Sequence, residues 1–406
     1  MADRPLAAVL TVGTEITTGL RLDTNTAQIA AACAAAGYRV TETVSVPDDR
    51  DRIAGAIARL ARENSLLVVT GGLGPTHDDV TREAAAQALG RPLRRDPALV
   101  ERLQAVADRH GDERAREQVL RQADVVEGAR VIEPESGTAP GQVVEAGSSL
   151  VVLLPGPPSE MRPMLEQVLG SRRTAPEPIV LRCARIAESD AQLRVQGVLA
   201  AFPKIELTLL ASPALVDVVL MDAGAGRDAL VEAAQAAALA LGEACYSMDG
   251  ASLPEAVVRL ARATLCTLAT AESCTGGMVA SAITDVPGAS DVFVGGAVAY
   301  SNALKRSLLG VPEEVLAEHG AVSPETAQAM ASGALRLGAR VAVATTGIAG
   351  PGGGTPDKPV GLVWTAVATP ERVEAHRLQL HGDRQGVRQR ATVHALDFVR
   401  LTLERM

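Results

Sequence analysis

β-Rich runs that end in a glycine turn, each followed by a helical stretch, recur along this chain and constrain its fold more than any other feature. AAVLTVG starts at Ala7, LLVVTGG at Leu66 and SLVVLLPG at Ser149. Between them lie YRVTETVSV from Tyr38 and helical stretches near Thr24–Ala36, Arg50–Arg62 and Val80–Leu89, with a further helix after Pro158. Such alternation builds right-handed strand–helix–strand units around a mostly parallel sheet, with ligands bound where the turns leave the strands. The charged stretch Asp96–Arg121 reads as two surface helices inserted between sheet strands.

The pattern changes and then returns. PIVLRCARI from Pro178, KIELTLLAS from Lys204, LVDVVLMD from Leu215 and an Ala-rich helix at Arg227–Leu241 suggest a small α+β module. From Leu253 the α/β alternation resumes, through TLCTLATAES, a helix near Gly276–Thr284, VFVGGAVAYS, a helix around Glu325–Leu337, VAVATTG, VGLVWTAVA, RVEAHRLQL and a closing helix from about Gly386. The expected architecture is therefore two three-layer α/β domains, residues 1–170 and 251–406, with mainly parallel sheets, joined by an α+β module at 171–250.

Charge narrows the function. With 39 Lys and Arg against 48 Asp and Glu, the net charge of −9 argues against direct nucleic-acid binding, which needs a basic face. No apolar run approaches the ~18 residues of a membrane helix. The opening MADRPLAAVLTVG reads as a first strand rather than a signal peptide. Five scattered cysteines, odd in number and without a CxxC pair, argue against zinc and disulfide frameworks and point to a reducing cytoplasm. Only three basic residues are lysine, namely Lys204, Lys305 and Lys358. Lysine, unlike arginine, can lose its proton in a protein, so a lysine beside reactive groups stands out.

The most informative segment is Ala271-Glu272-Ser273-Cys274-Thr275-Gly276-Gly277, where a strand ends in three hydroxyl or thiol groups before two glycines open a helix. This suits either a nucleophile with an oxyanion site or a phosphate seat at the helix N-terminus. Ser273 needs a base. His77 and His110 lie in the other α/β block, whereas Lys305 follows a strand in the same block, with Tyr300 and Ser301 placed to orient it. A desolvated lysine can be neutral near pH 7 and take a hydroxyl proton. Cys274 is the rival nucleophile. The loop Gly347–Gly354 lacks the G-K-[ST] ending of a P-loop, which excludes an ATPase assignment on this motif. Arg384 and Arg388, near the start of the last helix, could grip a phosphate.

In the first block, Gly13-Thr14-Glu15, Asp23-Thr24-Asn25, Thr70–Asp79, Gly137–Gly141 and Leu154–Met161 supply further turns. Gly71, Gly72 and Gly74 followed by Asp78 and Asp79 could hold a phosphate and a hard cation together. Several glycine turns at strand ends point to a nucleotide-like ligand.

Taken in order, TGGLGPTHDDVT, GTAPG, LPGPPSEM, AESCTGG, YSNALK, HGAVSPET, TTGIAGPGGG with KPVG, and GDR make the chain resemble, over essentially its full length, the CinA family of competence/damage-inducible proteins. The resemblance implies a molybdopterin-binding-like first domain, a KH-like middle module and a C-terminal nicotinamide mononucleotide (NMN) deamidase. It implies Ser273 as nucleophile and Lys305 as base, with Tyr300, Ser290 and Thr346 around them. Thr275, Gly276, Gly277, Gly347 and Arg384 would contact that substrate. Thr345-Thr346, where some relatives have serine, keeps the hydroxyl.

For the first domain the resemblance implies a metal-dependent ADP-ribose pyrophosphatase. A divalent cation would be held by Asp79 with Asp78 and Glu15, and substrate by Asn25, Gly71, Gly72, Gly74, Gly137 and Thr138. A homodimer is the expected assembly. The middle module has no GxxG clamp and only five Lys or Arg against ten Asp or Glu over residues 174–249, which argues against RNA binding there. A molybdopterin-binding or adenylyl-transfer protein, and a non-catalytic partner in competence and DNA repair, are the alternative readings.

Overall fold

The structure, a computed structural model, describes residues 4–109, 112–170 and 176–406; His110 lies outside them. It forms two compact units, residues 1–177 and 178–406, so the middle module clusters with the third block rather than standing as a separate body.

The first unit is built on a six-stranded sheet in the order Arg39–Val46, Leu6–Val12, Leu66–Thr70, Ser149–Leu154, Gly141–Ala146, Arg130–Ile132. The first four strands are parallel, and Gly141–Ala146 pairs antiparallel with both Ser149–Leu154 and Arg130–Ile132. Both faces are covered, as a parallel sheet requires. Ala8, Leu10 and Val12 point into one core with Ile53, Ile57 and Leu60, while Ala7 and Val9 enter the other with Ile29, Met161 and Met164. Helix Arg50–Glu63 starts where Asp49 accepts from the Arg52 N–H at 2.9 Å, and its Ile53, Ile57 and Leu60 fall on one stripe. The insertion contains the two expected helices, Pro97–Ala107 and Glu113–Leu120, with a small core of Leu99, Leu103 and Val119.

In the second unit, the module's antiparallel sheet runs Ile205–Ser212, Leu215–Asp222, Ile179–Ala184, Cys245–Ser247. Helices Glu188–Leu199 and Arg227–Leu241 pack on it through Ala191, Val195, Leu230, Ala234 and Leu241. The larger sheet runs Phe293–Val298, Leu268–Glu272, Val341–Gly347, Leu362–Ala368, Val373–Gln379. Its first three strands are parallel, and Leu362–Ala368 runs antiparallel to both Val341–Gly347 and Val373–Gln379, the connection between Ala368 and Val373 being too short for a crossover. The expected parallel character therefore holds for the half of each sheet that carries the glycine turns.

The two sheets of this unit share a core. Ala184 and Leu215 of the module pack with Leu253, Val257, Leu396 and Val399. Beside them the Asp397 carboxylate is fully buried between Arg185 of the module and Arg400, and Arg400 also donates to the Glu243 carbonyl at 2.7 Å. The Arg185 guanidinium lies 4.9 Å over the ring of Phe398.

Candidate functional site

Ser273 immediately follows strand Leu268–Glu272, whose Ala269 and Ala271 pack on one face and Leu268 on the other, so both faces of the strand are fixed. Its N–H donates to the Thr345 carbonyl at 2.9 Å, which ties the residue to the neighbouring strand. Lys305 lies on helix Asn302–Leu309, capped by Ser301, whose hydroxyl accepts from the Leu304 N–H. It is 1% exposed. Its Nζ stands 3.0 Å from Ser273 Oγ, 2.9 Å from the Ala299 carbonyl and 3.3 Å from the Tyr300 carbonyl. Burial pushes its pKa below the ordinary lysine value. No carboxylate pairs with this amine among the described residues. As placed, Nζ donates to all three oxygens; on losing a proton the amine can keep both carbonyls with its two N–H groups and turn its lone pair to the hydroxyl.

The rival thiol is not activated. Cys274 is buried, and burial pushes its pKa up to about 11, so it is protonated near neutral pH. Among the described residues no histidine is hydrogen-bonded to Ser273 or Cys274.

Glu272, 1% exposed, corrects one expectation. Its carboxylate accepts from the N–H groups of Gly277, Val279 and Ala280 at 2.8–3.0 Å. The N-terminus of helix Met278–Thr284 is thus filled by the protein's own charge and offers no phosphate seat. A charged residue closing an otherwise apolar strand just before a helix is the signal that could have revealed it. Arg388 reaches the same turn from the last helix: it donates through Nε to the Cys274 carbonyl at 3.1 Å and through Nη2 to the Thr275 carbonyl at 2.8 Å. Gly276, at φ +62°, leaves room for that approach; a Cβ there would lie 3.2 Å from Nη2.

The other expected residues divide. Thr275 is buried, with its hydroxyl 2.6 Å from that of Thr345. Thr346 is buried too, donating to the Ala321 carbonyl at 2.6 Å. Tyr300 is 60% exposed, and its hydroxyl accepts from Arg384, which also donates to the Gly350 carbonyl at 2.8 Å. Gly347 ends strand Val341–Gly347 against Leu362 and Val363, with no space for a side chain. Ser290 does not join them. It is exposed in a turn before strand Phe293–Val298, which runs parallel to the Ser273 strand. It therefore sits at the opposite end of the sheet, roughly 17 Å away at about 3.3 Å per strand residue.

The first unit has a cleft of about 460 Å³ outside the carboxyl ends of its parallel strands. Asn25, Gly71, Gly72, Gly74, Thr138, Glu15, Asp78 and Asp79 all line it; Gly137 does not, being packed against Glu160. Gly71, at φ +103°, lies so close to the Val12 carbonyl that a Cβ would fall 2.1 Å from it. Asn25 donates to Thr70 Oγ1 at 3.1 Å and to the Gly156 carbonyl at 2.7 Å, fixing its amide in the wall.

The expected three-carboxylate cation site is not assembled: no group of three or more potential metal-ligating side chains comes together among the described residues. The Thr76 hydroxyl lies within 2.5 Å of both Asp78 Oδ1 and Asp79 Oδ2, and the Thr76 N–H donates to Asp79 at 2.8 Å, so both carboxylates are turned onto one residue. Two neighbouring carboxylates still fit a magnesium-like ion that takes its remaining ligands from water and substrate phosphates.

The fold and these sites define a two-unit α/β protein, with a glycine-walled cleft in one unit and a buried serine–lysine pair in the other. Profiles described as "Probable molybdopterin binding domain" and "CinA C-terminal domain" match residues 8–174 and 250–403. A "Putative competence-damage inducible protein" of Symbiobacterium thermophilum is 43% identical, with 97% of this chain and 98% of that protein covered. A "CinA-like protein" of Thermotoga neapolitana is 40% identical, with 98% of each covered. A crystal structure of "the protein CinA with unknown function" from Thermoplasma acidophilum is 35% identical over 42% of this chain and 99% of that chain, at a TM-score of 0.38. The chain belongs to the CinA family of competence/damage-inducible proteins. No helix among the described residues is long and apolar enough to cross a membrane.

Proposed function

We propose that the second unit is an amidohydrolase that converts NMN to nicotinic acid mononucleotide and ammonia. The observation that carries this reading is the 3.0 Å approach of a buried, charge-unpaired lysine amine to Ser273 Oγ. Neutral Lys305 takes the hydroxyl proton as Ser273 attacks the carboxamide carbon, and backbone N–H groups of the turn hold the oxyanion. The proton on Lys305 passes to the departing nitrogen, ammonia leaves, and water hydrolyses the acyl-enzyme to the carboxylate. Arg384, whose hydrogen bonds among the described residues go to a carbonyl and a tyrosine hydroxyl, is a cation available for the substrate phosphate. Pyridine nucleotide salvage is the corresponding role.

A second activity, ADP-ribose pyrophosphatase, is supported by the cleft of the first unit. Asp78 and Asp79 would hold a divalent cation, which supplies charge neutralisation of the diphosphate. The glycine turns admit the substrate close to the backbone. The test is incubation of the full chain with NMN and with ADP-ribose, following ammonia and AMP separately. Ammonia from NMN that disappears in Ser273→Ala supports the first reading; its absence in the wild type sinks it. Binding of a molybdopterin without AMP release would favour a binding role for the first unit.

A further inference from the structure

Arg388 has no carboxylate partner among the described residues, yet its guanidinium is committed to two adjacent carbonyls, those of Cys274 and Thr275, directly after the nucleophile. In a trans peptide the C=O and N–H point in opposite directions. A cation drawing the Cys274 carbonyl to one side therefore turns the Thr275 N–H to the other.

The N–H groups of the segment identify which donor is free to act. Ser273 donates to Thr345 O, Gly276 to Ser273 O, and Gly277, Val279 and Ala280 to backbone-capping Glu272. Among the described residues the N–H groups of Cys274 and Thr275 have no backbone acceptor and meet the Cys274 thiol, a weak acceptor that a developing oxyanion can displace. Of these two, the Thr275 N–H belongs to the peptide whose carbonyl Arg388 Nε holds at 3.1 Å.

We infer that Arg388 is a positioning residue for the oxyanion: it fixes and polarises the Cys274–Thr275 peptide so that the Thr275 N–H donates to the oxygen that becomes negative when Ser273 attacks. The inference rests on the serine–lysine reading above and extends it by naming the donor and what holds it. A preorganised donor needs no reorganisation at the moment of attack, which is where such groups gain their effect. Lysine reproduces the grip poorly, because its single nitrogen cannot occupy both positions that Nε and Nη2 take in the rigid planar fork.

The experiment uses the full chain with Arg388→Ala and Arg388→Lys, checked for folding by thermal unfolding. It has two readouts: steady-state NMN hydrolysis, and labelling of Ser273 by a fluorophosphonate. In the labelling reaction Ser273 Oγ bonds to phosphorus, fluoride leaves and Lys305 takes the proton, so the anionic oxygen forms without NMN. Loss of a single oxyanion donor costs about 10²–10³-fold in other hydrolases. Both variants are expected to lose about 10–10³-fold in kcat and in labelling rate with KM little changed, and added guanidinium ion to restore part of the rate in Arg388→Ala. A raised KM with kcat and labelling intact would make Arg388 a substrate-phosphate ligand and overturn the inference, as would full activity of Arg388→Lys. Labelling of the wild type without NMN turnover would sink the proposed substrate while the labelling rates still decide the role of Arg388. No labelling of the wild type would overturn both.

Discussion

Replacing Lys305 by arginine keeps a positive charge and approximate reach, and removes only the ability to be neutral. In the structure Nζ has three oxygen neighbours within 3.3 Å, two of them carbonyls that accept only. A neutral amine satisfies both carbonyls and keeps a lone pair for the Ser273 proton; guanidinium has five donors and no lone pair at any workable pH. The change therefore removes the base outright and buries a permanent charge at a position 1% exposed. Loss of a general base costs about 10²–10⁴-fold, or about 3–5 kcal/mol of barrier at about 1.4 kcal/mol per tenfold. Because serine and base act as one unit, Lys305→Arg and Ser273→Ala should fall to a similar residual rate, and the double variant should fall little further. The assay is ammonia release from NMN by the three variants, with thermal unfolding to verify folding and Lys305→Met as a second test of the lost amine. Turnover by folded Lys305→Arg within about threefold of wild type would refute a base role.

Three further outcomes follow from the same geometry. Since burial lowers the Lys305 pKa and the base must be unprotonated, kcat/KM for NMN should rise with pH and level off at an apparent pKa below the 10.5 of an ordinary lysine; a rise continuing past that value would contradict it. Cys274→Ala should retain near-wild-type turnover, because a thiol pushed up to about 11 is not the nucleophile, and a dead Cys274→Ala beside an active Ser273→Ala would reverse that assignment. Asp79→Asn should abolish metal-dependent AMP release from ADP-ribose and leave NMN hydrolysis unchanged, since an amide is a poor substitute for an anionic ligand; unchanged AMP release would place the cation elsewhere.

The strand–helix alternation carried the sheets because apolar strands followed by glycine turns leave few other folds open. The helix at Arg227–Leu241 falls on its expected bounds, for the Ala-rich stretch starts after Gly226 and ends at Gly242. The adjacency of Ser273 and Lys305 was legible from a strand end and the scarcity of lysine. Ser290 was not, because a motif gives order along the chain but not which end of a strand a residue occupies. Nor does sequence tell whether Asp78 and Asp79 face a cleft or a neighbouring threonine, which depends on how one short turn closes. Arg388 shows the same limit: an arginine near a helix start suits a phosphate and a peptide carbonyl equally, and only three-dimensional proximity shows the carbonyls it reaches.

The salt link through Asp397 sets how the molecule comes apart. Arg185 reaches this carboxylate from the small sheet and Arg400 from the last helix, so separating the two sheets would strand a buried anion and open the core shared by Ala184 and Leu396. Breaking a buried pair by removing one partner typically costs about 3–5 kcal/mol. On heating, the small sheet and the serine–lysine half should therefore melt together, and calorimetry of the whole chain should resolve two cooperative transitions instead of three. A fragment begun at residue 251 would carry Asp397 without Arg185, whereas one begun at Pro178 would keep the link whole.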